Sequence, residues 1–220
     1  MEISNLAYNS FWYYFWDSVY LLHESKKYQP NTNKTFYRAS IISIVLSLES
    51  AANACIYSLN LDNGFFNDIE KLDCLSKLNF FSYTKFQKTI DKSNHVYGDI
   101  KQFIRHRNNL VHPKILECEP EASNFRIKTD FGSIKSLEIP NDTQRLDINN
   151  VIKMIETAVT FLNYYFIDLC DMSKQDVTNI LLGDDQSTIQ GKTFLDHSFD
   201  DQFKQIYSEY CKEEVRFIVF

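Results

Sequence analysis

The chain has 220 residues, 44% of them hydrophobic and 15% aromatic, enough apolar mass for one sizeable core and a single domain over 1–220. Five glycines and four prolines are too few for a turn-rich all-β protein, so helices are expected. A net charge of −6 and a pI near 5.4 argue against non-specific coating of nucleic acid, so any RNA or DNA contact must be a local basic patch.

The first predicted helix runs from roughly 5 to 27, where Phe11, Phe15, Val19 and Leu22 recur at helical spacing. It carries the aromatic run FWYYFW, Phe11 to Trp16, whose spacing favours a core or interface role over base stacking. The apolar run to Leu22 is too short to span a bilayer, and MEISNLAYNS lacks the basic start of a signal peptide. A cytoplasmic protein without membrane contact is therefore expected. The cysteines at 55, 74, 118, 170 and 211 are odd in number and widely spaced, which fits reduced thiols better than disulfides or a zinc site.

QPNTNKT, Gln29 to Thr35, reads as a loop by its Pro and Asn content. The strongest helix follows over about 35–60, with Ile41, Val45, Leu48, Ala52, Cys55 and Leu59 in one stripe and further apolar residues beside it, as in a central helix. DNGFFND reads as a turn, IEKLDCLSKL as a short helix, and FSYTKFQKTI is ambiguous. From about Asn94, Val96, Ile100, Phe103, Leu110 and Val111 keep a helical period that Pro113 ends. ECEPEAS is an acidic linker. A small β-hairpin insertion is expected near 124–139: Phe125, Ile127, Thr129 and Phe131 alternate, Gly132-Ser133 can turn, and Leu137 and Ile139 return. A long amphipathic helix at about 147–171 and a helical extension from about 173, with a last helix near 199–214, complete an all-α reading.

The densest polar segment is RHRNNLVHP, Arg105 to Pro113. From Lys101 to Leu116 no acidic residue interrupts Lys101, Arg105, Arg107 and Lys114. Charge alone fits a solvated helix end, since cations near a helix C-terminus are mildly stabilising. Asn108 and His112, however, lie four apart on one helix face. The proline pushes His112 out of the α region, and an amide one turn earlier could fix its ring tautomer. An arginine beside them offers a fork suited to phosphate. Histidine to move a proton, arginine for developing phosphorane charge and asparagine to orient form a coherent set for phosphodiester cleavage by a 2′-hydroxyl, with no metal required.

Arg107 to His112 resembles the signature of the HEPN superfamily: Arg, four to six residues, then His, often with a polar residue directly after the Arg, as Asn108 is here. The resemblance covers about 35–170 and centres on this motif. It implies a helical bundle that pairs as a homodimer, with two Arg-His motifs meeting in one composite cleft. It also implies metal-independent endoribonuclease activity leaving a 2′,3′-cyclic phosphate, and roles as toxins, in antiphage defence or in RNA processing. Arg107, Asn108 and His112 are the matching residues, with Lys101, Arg105, His106 and Lys114 as supporting or RNA-contacting residues. Arg105 satisfies the spacing too, with six residues before His112, so the motif arginine has two candidates. In one toxin branch a tyrosine two residues after the histidine is modified by an antitoxin; here that residue is Lys114. An inhibitory or activating protein partner stays open. So does a non-catalytic module of the same fold that binds RNA, a nucleotide or a protein.

Glu49, on the central helix one turn before Asn53, is either a rim residue in water or a buried carboxylate paired with a motif arginine. QGKT, Gln190 to Thr193, lacks the P-loop's first glycine, because Gln186 stands there. Asp196, His197, Asp200 and Asp201 read better as a polar helix start than as metal ligands. His106 faces away from His112 on an ideal helix and reads as an RNA or partner contact. No metal or cofactor is expected.

Overall fold

The computed structural model describes residues 9–112, 115, 121–123, 126–128, 131–134, 136–182 and 197–219. The protein is mostly helical with small antiparallel β elements. Helix α1, Phe11–Ser25, and α2, Pro30–Tyr57, form an antiparallel pair through a short turn. Their faces meet through Phe11, Phe15, Val19 and Leu22 against the α2 stripe, and Ser40 donates to the Ser18 carbonyl at 2.6 Å inside the seam. Ile41, Val45, Leu48, Ala52 and Cys55 are all fully buried, as a central helix requires. Among the described residues α2 is also the one helix long and apolar enough to cross a membrane; more than half of that apolar window is buried in the fold.

The start of α2 corrects the expected loop at 29–35. Pro30 occupies the first helical position, where its missing N–H costs nothing and its fixed φ suits the helix. The expected turn at 62–68 is likewise a short helix, α3, Asn63–Ile69, started by Asp62, whose side chain accepts from the Phe65 N–H. Helix α4, Cys74–Phe86, starts on Asp73 in the same way and absorbs the ambiguous FSYTKF stretch. It ends at Gln87 in the left-handed conformation, φ 56°. Helix α5, His95–Val111, begins at Asn94, which accepts from Val96 N–H at 2.9 Å. Its inward face is Val96, Ile100, Phe103 and His106; Val111, expected inside, is 41% exposed.

The interval after α5 holds two short antiparallel ribbons. Strand β1, Glu121–Ser123, pairs with β2, Arg126–Lys128, and β3, Ser133–Ile134, pairs with β4, Ile139–Pro140. In place of the single hairpin expected at 124–139 there are thus two ribbons, the first starting in the stretch read as an acidic linker. Gly132, at φ 74°, leads into β3 instead of turning between two long strands. Leu137 and Ile139 are buried, so this ribbon is pinned to the core.

Helix α6, Ile148–Asn163, opens with a capping box between Asp147 and Asn150. It runs on as a π-helical turn, Tyr164–Leu169, in which Cys170 N–H reaches Tyr165 O at 3.0 Å and the Tyr165 hydroxyl donates to the Leu78 carbonyl of α4 at 2.6 Å. Helix α7, Lys174–Leu182, packs on α2. Helix α8, His197–Tyr210, and the segment after it close over α1: Phe203 lies 4.9 Å from Trp12 and 5.1 Å from Phe15 between ring centroids. Phe11 and Phe15 of the aromatic run are therefore core, Trp12 and Trp16 are partly buried against it, and Tyr13 is 55% exposed. Cys55, Cys74, Cys170 and Cys211 are buried free thiols. Burial pushes Cys74 and Cys211 up to about 12 and Cys170 up to about 11, so none is a poised nucleophile.

Candidate functional site

Helix α5 carries the polar segment on two sides, because 100° per residue sets Arg105 and Arg107 roughly 200° apart. Arg107 turns toward α2. One terminal nitrogen lies 3.4 Å from Glu49 Oε1, the other donates to Oε2 at 3.4 Å, and the first also donates to Asn108 Oδ1 at 3.0 Å. Its side chain is only 15% exposed, against 38% for Glu49, and its Nε is buried without a hydrogen-bond partner. Glu49 thus has the cationic partner that its apolar surroundings called for, and the pair ties the end of α5 to the central helix. Asn53, one turn on, accepts from the buried Lys77 at 2.8 Å, extending the polar seam to α4.

His112 leaves the helical path at φ −118° and ψ 72° and is exposed. Its backbone N–H donates to the Asn108 carbonyl at 2.8 Å. The amide-to-imidazole bond that the four-residue spacing suggested is not formed among the described residues; the Asn108 oxygen accepts from Arg107 instead. Pro113 and Lys114 lie outside the described residues, as do the P-loop-like QGKT and Asp196. No cluster of three metal-ligating side chains occurs among the described residues.

His106 corrects its reading as an RNA contact. It shares the inward face of Phe103, one turn earlier, and is 2% exposed with neither ring nitrogen hydrogen-bonded. Burial lowers its pKa to about 4, so it is a neutral core ring at physiological pH.

Arg105 faces the other way and is exposed. With Lys101 and Asn108 it lines one wall of a groove of about 650 Å³ whose other wall is α4, with Phe80 and Tyr83. Tyr97 completes the α5 wall, and Lys101 Nζ sits 6.0 Å from its ring centroid. Both helices lean on α2, and the groove is the space between them. No family model, curated protein or solved structure matches this chain. The groove was missed from sequence, although Tyr97 and Lys101 stand four apart on one helix face, a signal that was there to read.

Proposed function

We propose that this chain is a HEPN-like endoribonuclease that cuts RNA without a metal ion, as a homodimer. The observation that carries the reading is the last turn of α5, where an arginine braced by a carboxylate, an amide and an exposed histidine follow within six residues. In this reading the ribose 2′-hydroxyl loses its proton and attacks the adjacent phosphorus. The bond to the 5′-oxygen breaks, that oxygen gains a proton, and a 2′,3′-cyclic phosphate remains. His112 transfers protons, Arg107 stabilises charge on the phosphorane, and Asn108 orients the guanidinium. Val111 and Ile115 flank His112 and are 41% and 91% exposed, which suits an apolar contact with a second copy. Two copies would double the local positive charge, which helps an acidic protein hold RNA. A role as a toxin or antiphage effector follows the family analogy alone.

One observation favours a second reading. Both terminal nitrogens of Arg107 already face acceptors, as expected of a structural arginine in a non-catalytic module that binds RNA, a nucleotide or a protein. Incubating the protein with fluorescent RNA in EDTA separates the two. Cleavage that falls at least a hundredfold in Arg107→Ala and in His112→Ala supports the enzyme, since a lost general acid–base contributes about 10²–10⁴ in rate. Binding without cleavage favours the module. A larger loss in Arg105→Ala than in Arg107→Ala transfers the phosphate-binding role to Arg105.

A further inference from the structure

We infer that the groove between α4 and α5 seats unpaired bases of a single-stranded RNA, next to the phosphate that is cut. The inference rests on the ribonuclease reading for its choice of strand and adds where and how that strand lies. Tyr83, on α4, and Tyr97, on α5, present rings on opposite walls of the 650 Å³ space, Tyr83 more than half exposed. Aromatic rings on two walls of one groove suit unstacked bases. Lys92, Lys101 and Arg105 line the same groove, all exposed. Their charge faces a single carboxylate, Asp73, and that one is already occupied by the Ser76 N–H at 3.0 Å and the Ser76 hydroxyl at 2.6 Å. The groove is therefore cationic with aromatic walls, inside a protein of net charge −6. That combination matches a backbone of phosphates with bases turned inward, and its three cations disfavour an apolar protein segment.

The groove borders the candidate active site at Asn108, while Arg107 points away from it toward Glu49. Asn108 lines the groove, and His112 lies one helical turn beyond Asn108 on the same face. Arg105 and His112 are separated by roughly 10 Å along the helix axis, at 1.5 Å per residue. A strand held on Lys101 and Arg105 thus passes its next phosphates to the end of α5. In this arrangement the groove selects single strands, because bases within a duplex stay stacked and cannot enter between the tyrosines.

The test uses the full chain and a fluorescein-labelled, 2′-O-methylated RNA strand, which lacks the attacking hydroxyl and stays intact whatever the activity. Binding is read by anisotropy. Tyr83→Ala and Tyr97→Ala should each weaken it about tenfold, while Tyr97→Phe, which keeps the ring, should not. Lys101→Ala should flatten the salt dependence of the binding constant by about 0.7 in log–log slope. The same strand annealed to its complement should bind more weakly. Wild-type protein that binds the strand while both alanine variants bind equally well overturns the inference, and so does tighter binding of the duplex or no binding at all. Cleavage of an unmodified strand is read separately. Cleavage with groove-independent binding removes the groove and leaves the nuclease standing. Groove-dependent binding without cleavage keeps the groove and removes the nuclease.

Discussion

At the scale of single residues, the end of α5 sorts its polar side chains by direction. Arg107 goes to Glu49, His106 to the core, and Arg105, Asn108 and His112 to solvent. The buried imidazole has a thermodynamic signature. Its pKa is about 4 in the fold against an ordinary 6.5, so between those values the unfolded chain binds more protons than the folded one. Stability from a neutral His106 is complete above about pH 6.5 and drains away as the pH falls toward 4. Urea titrations at about pH 7.5 and about pH 5 should differ by about 2 kcal/mol from this group. His106→Leu should remove that share of the acid sensitivity; equal losses in both proteins would contradict it. The pairing of Glu49 with a motif arginine was legible only as one of two alternatives, the other a rim residue in water; at 38% exposed and paired with Arg107, Glu49 combines both. Which arginine it pairs with was not legible. Two residues apart on a helix point in nearly opposite directions, and only the placement of α5 against α2 says which side is inward. The inward turn of His106 was there to read, three residues after Phe103 in the apolar period, but a lone histidine on a basic helix reads as a surface residue.

At the scale of elements, the long helices were readable from period alone, since α2, α5 and α6 each repeat their buried residues every three or four positions. Their starts were less so. Pro30 and Asp62 read as marks of loop and turn, yet each opens a helix, because a residue that suits a turn also suits the first positions of a helix. The capping box of α6 shows the stakes. Asp147 accepts from Asn150 N–H at 2.9 Å while Asn150 returns the bond to Asp147 N–H at 3.0 Å. Asp147→Ala should cost about 1 kcal/mol, seen as a lower urea midpoint with an unchanged slope. The β insertion was located only in part, since β1 falls in the stretch read as an acidic linker, and it was not registered: strands of two and three residues are too short for alternation to select a partner.

At the scale of the whole molecule, the aromatic core joins distant parts of the chain. Phe217 lies 6.2 Å from Phe11 and 6.3 Å from Phe166 between ring centroids, fully buried. Asn163 holds the same segment in place, donating to the Glu214 carbonyl at 2.7 Å and accepting from Arg216 N–H at 2.8 Å. Phe217→Ala should destabilise by about 3–5 kcal/mol and lower Tm by about 10 °C, measured by thermal unfolding under circular dichroism. A change of a degree or two would mean that this closing segment contributes little. None of this was legible from sequence, since contact across such a separation leaves no periodic trace; RFIVF showed only that the segment was apolar.

The contact between Phe11 and Phe217 also sets an order of events on the ribosome. The aromatic block of α1 is made early, and the rings that cover it, Phe203, Tyr207 and Phe217, are made about two hundred codons later. At typical elongation rates that interval is roughly 10 to 40 seconds. For that time FWYYFW has α2 on one side and no cover from α8, so a nascent chain carries an open aromatic face that invites chaperones and favours aggregation when synthesis stalls.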